Sequence, residues 1–496
     1  MMRYQTSSKR DSASQSMPWF AIGMVGVLLL SLALHFWGLG RFNTLVFDEV
    51  YYVKYAHNYL TRTPFFDAHP PLGKYAIALA LWIGGHFPSG REALNNLGTV
   101  PFSPISYRWL NALTGSLLPL VVGAIAYQIS HRRSYALIAA LFTTCDGLFL
   151  VESRYALINI YLIFFGLLGQ WLFLLALEYR GHQRWFFLVL SGISFGASVS
   201  VKWNGLGFLL GIYLVGISAW IIRWVQRRRG VQEQRFFSNH QSPLQNLTQL
   251  NLGQVIFNLG FIPALVYRLL WLPHLQINTK VGFWELHKQL LGFHQGLANG
   301  PSVHPYCSNW YTWPFMLRPM SYFYETARNF TEPIPSVGPP LPADAIKVVY
   351  SVHAMGNPFL WWLSTLAMLL LIMELVDRIR IGMDASGRAR TYGSLSIPGW
   401  VTLYLVLNYA ANLLPWIKVS RCTFIYLYMG AAVFGFLAIA WLVDWWLASI
   451  QPRLRSMGVT TIFLILLAFV FWLPIYLGLP LLLQDFHLRM WLRSWY

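Results

Sequence analysis

Two adjacent acidic residues, Asp48 and Glu49, are the first in the chain whose type and spacing suit catalysis. They lie in the stretch VFDEVYY, just past the first long apolar run of the sequence. A carboxylate in a partly dehydrated cleft can act as a general base that takes the proton from an attacking hydroxyl. The alternative is solvated charge in an exposed loop. Because acids directly beside an apolar run need a reason, we predict that Asp48 and Glu49 are catalytic.

A second polar cluster lies in the segment FFDAHPPLGK, residues 65–74, which places an acid, an imidazole and an amine around a Pro-Pro pair. Each proline fixes its own backbone angle, and the residue before a proline is held extended. The segment is either an ordinary turn before a short helix or a scaffold that holds His69 and Lys74 beside the acidic pair. The spacing favours neither interpretation, so both residues remain candidate substrate-binding residues.

Five further cations lie at the ends of apolar runs, on the side that also carries Asp48. Each alone could be a snorkelling side chain that stabilises the end of a helix. Together they could bind an anionic headgroup, because arginine forks clasp phosphate oxygens and ionisable residues near membrane depth are functional candidates. The pattern therefore predicts a phosphate-binding group that consists of Arg108, Arg154, Lys202, His353 and Arg421.

Arg154 is flanked in the sequence by Asp146, Glu152 and Asn159. An unpaired charge in an apolar setting is costly, whereas a paired and hydrogen-bonded charge is tolerated. We therefore expect these three side chains to have a structural role as partners of the arginine.

The elements that position these residues follow from a composition unlike that of a soluble protein. Of 496 residues, 56% are hydrophobic, 17% aromatic and only 11% charged. Apolar stretches of about 17–25 residues recur along the chain, each long enough to cross a hydrocarbon layer roughly 30 Å thick as a helix. Helices are required because lipid offers no partner for a bare backbone amide. The sequence predicts about eleven transmembrane helices, at residues 18–40, 107–129, 134–152, 156–178, 184–201, 204–223, 256–272, 358–376, 397–414, 422–445 and 459–483.

The positions of the charges predict the orientation of the chain. It has 36 Lys and Arg against 18 Asp and Glu, a formal net charge of +18. The basic residues cluster between apolar runs, as they do in cytoplasmic loops, and no basic face interleaved with aromatic residues is present, so we exclude nucleic acid as a partner. With a cytoplasmic N-terminus every inside loop is basic, and an odd number of spans places the C-terminus outside. The basic inside loops lie at residues 131–133, 180–184, 223–229, 378–390 and 453–455.

The predicted spans also define the domain organisation. Two connections on the outer side are long, and long loops are usually functional. Within the first of them, residues 75–87 are apolar but short, which predicts a re-entrant or interfacial helix. The parts are a cytoplasmic leader (1–17), a transmembrane core (18–272) with a catalytic exterior loop (41–106) and a cytoplasmic linker (224–255), a second exterior loop (273–357), and C-terminal helices with an exterior tail (358–496).

Neither cysteine nor metal chemistry is indicated by the spacing of residues. Cys145, Cys307 and Cys422 are too few and too scattered for a disulfide framework or a metal cluster, so we expect three unrelated thiols. Carboxylates and imidazoles near Asp48 are of the types that bind metals, but no spacing matches a known metal motif. We predict no cofactor and no obligatory metal. Loss of turnover on chelation, restored by one divalent ion, would contradict this prediction.

Most of the chain resembles one family, the protein O-mannosyltransferases that use dolichyl- or polyprenyl-phosphate mannose, in their prokaryotic form. The resemblance rests on a series of motifs in order rather than on the acidic pair alone. The motifs are FDEVYYVKYA (47–56), FFDAHPPLGK (65–74), YRWLNAL (107–113), CDGLFLVESRYALIN (145–159), SVKWNG (200–205), WPFMLRPMSYFYE (313–325), HAMGNPFLWW (353–362) and PWIKVSRCTFIYLY (415–428).

The resemblance implies an all-α polytopic membrane protein with the GT-C glycosyltransferase architecture and a catalytic first exterior loop. It implies inverting transfer of mannose from polyprenyl phosphate to Ser or Thr hydroxyls of exported proteins, at the outer face of the plasma membrane. Asp48 matches the family's catalytic acid and is the expected base, with Glu49 orienting the acceptor or tuning Asp48. Arg108 would bind the lipid phosphate or support the loop. Further expected partners are secreted or membrane acceptor proteins, membrane lipid and, as a candidate, the secretion machinery.

Two alternatives remain open at the level of sequence. A GT-C enzyme that moves another sugar from a polyprenyl phosphate to a glycolipid or glycan would carry a similar acidic pair and similar cations. A transporter of lipid-linked sugars would instead carry paired ionisable residues near mid-span and broken helices in matched halves. Here the charges gather at the outer ends of spans and in one exterior loop, which favours an enzyme.

Overall fold

The computed structural model describes residues 18–86, 102–228, 243–300, 302–332, 343–383 and 397–496. The predicted leader lies outside these ranges, as do parts of both exterior loops, of the cytoplasmic linker and of the basic loop 378–390.

The described chain is predominantly helical, as the sequence predicts. Proline stands in the first turn of several helices, among them Pro104–Ser130 and Pro452–Leu477, where its missing amide costs no helical hydrogen bond. A π-helical segment, Ile256–Phe261, joins the helix Leu252–Val255 to the helix Ile262–Leu270. The α-helices are α1 Pro18–Phe36, α2 Glu49–Leu60, α3 Leu72–Gly84, α4 Pro104–Ser130, α5 Arg133–Thr144, α6 Gly147–Arg154, α7 Asn159–Glu178, α8 Gly181–Val199, α9 Leu206–Arg228, α10 Leu252–Val255, α11 Ile262–Leu270, α12 Leu272–Ile277, α13 Phe283–Gly296, α14 Pro358–Met383, α15 Ile397–Leu413, α16 Met429–Ala448, α17 Pro452–Leu477 and α18 Leu483–Arg489.

Nine helical segments in the described ranges are long and apolar enough to cross a membrane. A tenth crossing is formed if α5 and α6 are counted together, although they meet at a bend of 60°. The predicted single span 134–152 is therefore a broken pair. The break has a local cause: the Asp146 side chain accepts a hydrogen bond of 3.0 Å from the amide of Phe149, which caps α6 as a new helix.

The predicted span 184–201 corresponds to α8, which does not belong to the set of nine because polar residues lower its hydropathy. Its serines face α7: Ser198 donates to the carbonyl of Leu162 and Ser191 to the carbonyl of Gly169, both at 2.8 Å. The helix thus runs antiparallel along α7 through the same depth. This packing supports an eleventh crossing, and the count of eleven stays a prediction.

The helices surround α16, whose apolar stretch is 89% buried, the largest share among the candidate spans. It packs against α14, α15, α17 and α5, while α4 contacts α1, α5 and α7. Outside this bundle, α2 and α3 follow α1 and precede α4. The short apolar helix expected at 75–87 is α3. It can lie close to α4 because Gly84 has no side chain, whereas a Cβ at this position would come within 2.5 Å of the Ser106 backbone.

A small antiparallel sheet lies in the second exterior region and was not predicted from the sequence. Its strands are β1 Met320–Ala327, β2 Val348–Ala354 and β3 Pro480–Leu482, in the order β1-β2-β3. The register pairs Met320 with Ala354 and Val348 with Leu482. The sheet therefore joins the second exterior loop to the chain after α17, and β1 packs against the segment before α2.

One expectation about the cysteines is wrong. Cys307 and Cys422 form a disulfide across 115 residues of sequence, while Cys145 is buried and free. Sequence spacing could not reveal the pair, because two cysteines in different loops become neighbours only when the helices between them pack. The disulfide ties the second exterior loop to the segment between α15 and α16.

Candidate active site

Asp48 lies at the N-terminal end of α2, where the chain turns after α1. The residue before it, Phe47, has a φ of +53°, in the left-handed region that residues other than glycine rarely adopt. Its ring lies flat on the ring of Tyr322 in β1, with 4.1 Å between the ring centroids. This stacking holds the turn in a costly conformation and thereby fixes the direction in which the Asp48 side chain leaves the backbone.

The Asp48 carboxylate is half-buried and does not cap α2. Within the described ranges it accepts no hydrogen bond, whereas the main-chain oxygen of Asp48 accepts from Tyr51 and Tyr52 at 3.0 Å. Burial raises the pKa of Asp48 to about 6, the Lys202 ammonium opposes the rise, and the Asp67 carboxylate adds to it. A carboxylate with this pKa is mostly ionised at neutral pH and is a stronger base than an ordinary aspartate.

Glu49 points into an entirely different environment. Its fully buried carboxylate is held by Arg108, with Nε 2.8 Å from Oε1 and Nη2 2.6 Å from Oε2. The amides of Val46 and Ala156 donate to the same two oxygens at 2.8 and 2.7 Å. Protein donors saturate this carboxylate, which favours a role in holding the turn that carries Asp48 over one in orienting the acceptor. The catalytic role of Glu49, orienting the acceptor or tuning Asp48, stays a prediction.

The contacts of Arg108 favour support of the loop over phosphate binding, and its role stays a prediction. Besides holding Glu49, its guanidinium donates to the carbonyl oxygens of Leu39 and Phe42 at 3.1 Å and of Thr44 at 2.8 Å. All of its donors therefore point at protein oxygens. The chain between α1 and α2 is wrapped around one buried arginine.

Arg154 likewise binds backbone instead of phosphate. Its guanidinium donates to the last carbonyl oxygens of α1 and to those just beyond, which have no partner inside the helix. The predicted phosphate contact is thus replaced by a helix cap. The acceptors are the carbonyl oxygens of Leu34, His35, Trp37 and Gly38, at 2.7, 3.0, 2.9 and 3.2 Å.

The three polar residues expected to pair with Arg154 have other partners. Asp146 accepts from the indole of Trp361 at 2.7 Å, as well as from backbone amides. Glu152 accepts from Asn159 at 3.0 Å and from the hydroxyl of Tyr322. Carbonyl oxygens accept from the two terminal nitrogens of Arg154 in their place, whereas its Nε has no partner in the described chain.

Lys202 is the cation that the structure brings to Asp48. It lies between α8 and α9, is only 6% exposed, and donates to the side-chain oxygen of Asn159 at 2.7 Å. Its ammonium also lies 5.2 Å from the ring centroid of Tyr426. Burial lowers the pKa of Lys202 to about 8, and the carboxylates of Asp48 and Glu152 oppose this fall. The side chain is therefore mostly protonated at neutral pH.

Arg421 belongs to the same side of the site. It is half-buried, donates to the carbonyl oxygen of Cys422 at 3.1 Å, and its charge acts on Lys202 and His69. A pair of cations beside an unpaired carboxylate is an arrangement that can hold a phosphate near a base.

The segment 65–74 is held together by its own side chains, and no contact joins Lys74 to the acidic pair in the described chain. Lys74 is buried, forms an ion pair with Asp67, and donates to the carbonyl oxygens of His69 at 2.7 Å and Pro70 at 3.1 Å. It is therefore occupied within its own loop and does not bind substrate. The ring of His69 lies 5.5 Å from the ring of His294 in α13, and burial holds the pKa of His69 well below its usual value, so that this imidazole is neutral.

His353 does not join the group. It is buried in β2, where one ring nitrogen bonds Ser351 at 2.7 Å and the other bonds the carbonyl oxygen of Trp495 at 3.2 Å. Both ring nitrogens are engaged in packing the sheet against the C-terminal segment, so the geometry does not favour phosphate binding by His353, and that role stays a prediction.

Three further residues near the site were not selected from the sequence, Tyr322, Tyr426 and His294, and Glu152 was expected only as a structural partner of Arg154. Tyr322 and Tyr426 stand inside two of the motifs quoted above, so their presence there was a usable signal. The Nε2 of His294 donates to the carbonyl oxygen of Ala68 at 2.9 Å, and its Nδ1 is buried without a partner in the described chain. No pattern in the sequence pointed to it.

The side chains that could bind a metal ion are dispersed in the described structure. Within the ranges that the structure describes, no three His, Cys, Asp or Glu side chains gather as a metal site would require. The prediction that no metal is obligatory therefore remains a prediction for experiment. The described geometry brings together the Asp48 carboxylate, which accepts no hydrogen bond there, two cations, Lys202 and Arg421, and the aromatic ring of Tyr426.

Comparison with known proteins assigns the chain to a family. Residues 25–279 match the family model described as dolichyl-phosphate-mannose-protein mannosyltransferase. Residues 280–495 match the model of the C-terminal four TMM region of protein-O-mannosyltransferase. The two matches together cover almost the whole chain.

Individual relatives agree with this. A polyprenol-phosphate-mannose–protein mannosyltransferase of Mycolicibacterium smegmatis is 24% identical, over 91% of this chain and 88% of the relative. One of the same name from Corynebacterium glutamicum is 24% identical, over 95% and 92%. The solved structure of the Saccharomyces cerevisiae protein O-mannosyltransferase Pmt1-Pmt2 complex bound to the sugar donor matches with a TM-score of 0.75, over 97% of this chain and 93% of that chain, at 15% identity.

These matches confirm the predicted GT-C fold and the predicted glycosyltransferase class of a multi-pass membrane protein. Because both halves are covered by family models, the chain belongs to the dolichyl-phosphate-mannose-protein mannosyltransferase family.

Proposed function

We propose that this enzyme transfers mannose, with inversion at the anomeric carbon, from a polyprenyl phosphate mannose to Ser or Thr hydroxyls of exported proteins at the outer face of the plasma membrane. The observation that carries the proposal is the Asp48 carboxylate. It is half-buried, accepts no hydrogen bond from the described chain and lies beside Lys202. The names of the relatives support the donor, a polyprenol phosphate mannose.

The reaction needs one base and a stabilised leaving group. The acceptor oxygen attacks the anomeric carbon on the face opposite the phosphate, and its proton passes to Asp48. The bond from that carbon to the phosphate oxygen breaks, and its electron pair leaves with the polyprenyl phosphate. Lys202 and Arg421 would neutralise the developing charge, as preorganised cations do in other transfers. No covalent intermediate on the enzyme is required.

The disulfide supports the outer face as the place of reaction. Disulfides form and persist in oxidising surroundings, such as the exterior of a bacterial membrane. Cys307 and Cys422 lie in the two segments that approach the site, and Arg421 is the immediate neighbour of one of them. Acceptors that are still unfolded on leaving the secretion machinery would present their hydroxyls on this side.

The test is a transfer assay with purified protein in nanodiscs. Radiolabelled polyprenyl phosphate mannose is incubated with a Ser/Thr-rich peptide, and Asp48→Asn is compared with wild type. We expect label on the peptide from wild type, and a loss of roughly a hundredfold or more in the variant, the range for removal of a general base. Wild type that is inert with mannose but active with another polyprenyl phosphate sugar would refute the named donor. A peptide that stays unlabelled while a glycolipid is labelled would refute the named acceptor.

A further inference from the structure

A buried chain of hydrogen bonds starts at Lys202 and runs away from the reaction centre. The Lys202 ammonium donates to the Oδ1 of Asn159 at 2.7 Å. The Nδ2 of Asn159 donates to Oε2 of Glu152 at 3.0 Å, and Oε1 of Glu152 accepts from the hydroxyl of Tyr322. We call these four residues the Glu152 network.

The direction of each hydrogen bond suits a positive charge at one end of the network and a negative charge at the other. An ammonium can only donate, so the Asn159 amide must turn its oxygen to Lys202 and its nitrogen to Glu152. Glu152 accepts at both oxygens, which suits an ionised carboxylate. The network thus joins a positive charge to a negative charge through a neutral amide.

The same network reaches the base from the other side. Tyr322, which donates to Glu152, stacks on Phe47, and Phe47 is the strained residue immediately before Asp48. The fully buried Glu152 carboxylate therefore contacts both Asn159, which binds Lys202, and Tyr322, which packs against the turn before Asp48.

We propose that Glu152 is a positioning residue of this enzyme, which holds Lys202 charged and aimed at the donor phosphate through Asn159 and holds the Asp48 turn through Tyr322. The identity of the donor in this statement rests on the proposed function. The carboxylate itself does not touch substrate.

The amide between the two charges explains why the arrangement suits phosphate binding. A carboxylate directly on Lys202 would take up its donors and its charge. With Asn159 between them, the ammonium gives one hydrogen bond to the protein, and within the described chain it gives no other. Two N–H donors of a buried cation remain for phosphate oxygens.

Other charges also act on Lys202 and must be considered in any test. Asp48 and Asp67 favour its charged form, whereas Arg421 opposes it. The ring of Tyr426 lies over the ammonium. Among these groups, Glu152 is the acid that is joined to Lys202 by a continuous hydrogen-bonded path.

The test uses Glu152→Gln, which keeps the shape and removes the charge. With polyprenyl phosphate without a sugar as the probe, we expect the dissociation constant in nanodiscs to rise about tenfold or more, as for loss of one hydrogen bond to a charged group. Removal of a nearby negative charge lowers the pKa of both Asp48 and Lys202. Both limbs of the pH–rate profile should therefore move to lower pH.

Asp146→Asn is the matched control. Asp146 precedes the same helix and is equally buried, but its partners are Trp361, Phe149 and Asn357 rather than the network. It should lower the melting temperature without moving either limb or the dissociation constant. If Glu152→Gln does not fold, Asn159→Ala breaks the same path and should weaken binding of the probe by a similar factor.

The outcomes separate this inference from the proposed function. Glu152→Gln/Asn159→Asp would place a carboxylate directly on Lys202 and should therefore not recover binding of the probe, whereas a folded double variant that binds like wild type would contradict the proposal. Equal binding by wild type and Glu152→Gln, or no binding by either, overturns it. If wild type binds the probe more tightly than Glu152→Gln but transfers no mannose, the network stands and the proposed function fails.

Discussion

Asp48 and Glu49 differ by one position, yet the start of α2 directs their carboxylates to opposite sides of the turn. One accepts no hydrogen bond from the described chain, whereas the other accepts four. Substitutions at the two acids are therefore expected to have different effects on activity and stability. Asp48→Asn should abolish transfer and leave the melting temperature in detergent unchanged, because the side chain has no hydrogen-bonded partner to lose.

Glu49→Ala is expected to act on the fold. It leaves Arg108 buried without its countercharge, which costs about 3–5 kcal/mol of stability for a broken buried pair. The melting temperature should fall, and activity should fall with it. A Glu49→Ala protein that melts like wild type but has lost turnover would show that Glu49 acts on the substrate after all.

The pH dependence of transfer tests the protonation of Asp48. Transfer requires the ionised carboxylate, and its pKa is raised to about 6 by burial. Activity should therefore fall about tenfold for each pH unit below this value. Above it, activity should be constant until Lys202, whose pKa burial lowers to about 8, loses its proton. The measurement is kcat/KM for the lipid donor, at saturating peptide, from pH 4.5 to 8. A profile that is flat down to pH 4.5 would contradict Asp48 as the base.

Residue types and order select Asp48 and Lys202 as candidates, but they do not show which cations are free to reach a ligand. Arg108 and Arg154 stand at helix ends just as Lys202 does. The difference is that carbonyl oxygens of the chain after α1 surround the two arginines, and such main-chain acceptors leave no mark in the sequence. The same holds for His353, since one of its partners is a backbone oxygen of Trp495.

At the scale of elements, the disulfide fastens the segment 421–426 to the second exterior loop. The amide of Ser308 donates to the carbonyl of Thr423 at 2.8 Å, and the Thr423 hydroxyl returns a bond of 2.6 Å. This segment carries Arg421 and Tyr426, both at the site. The helical spans themselves were predictable from hydropathy, but this connection and the sheet depend on contacts between distant loops.

Removal of the disulfide should therefore loosen the cationic side of the site. In Cys307→Ser/Cys422→Ser we expect a higher KM for the lipid donor and a loss of about 2–5 kcal/mol of stability, the usual range for a native disulfide. Reducing agent applied to wild type should reproduce the change. Cys145→Ala, which removes the buried free thiol, is the control for cysteine loss. An unchanged KM in the double variant would separate the disulfide from donor binding.

At the scale of the whole molecule, the two ends of the bundle differ in a way that predicts orientation. The site, the sheet and the disulfide lie at one end, whereas Arg132 forms an ion pair with Asp444 at the other, beside the basic turn after α16. The positive-inside rule places this second end in the cytoplasm. The orientation depends on the number of crossings, and an odd count of eleven requires both the bent pair α5 and α6 and the predicted span 184–201, α8, to cross.

Single cysteines at the two ends test this orientation directly. Lys288 in α13 has a side chain that is 77% exposed, and Ile450 in the turn after α16 is 95% exposed. The native cysteines give no background, since Cys145 is buried and the others are paired. In intact cells, a maleimide that does not cross membranes should label Lys288→Cys, whereas Ile450→Cys should be labelled only after permeabilisation. The reverse pattern would place Asp48 on the cytoplasmic side, where neither an exported acceptor nor a stable disulfide is expected.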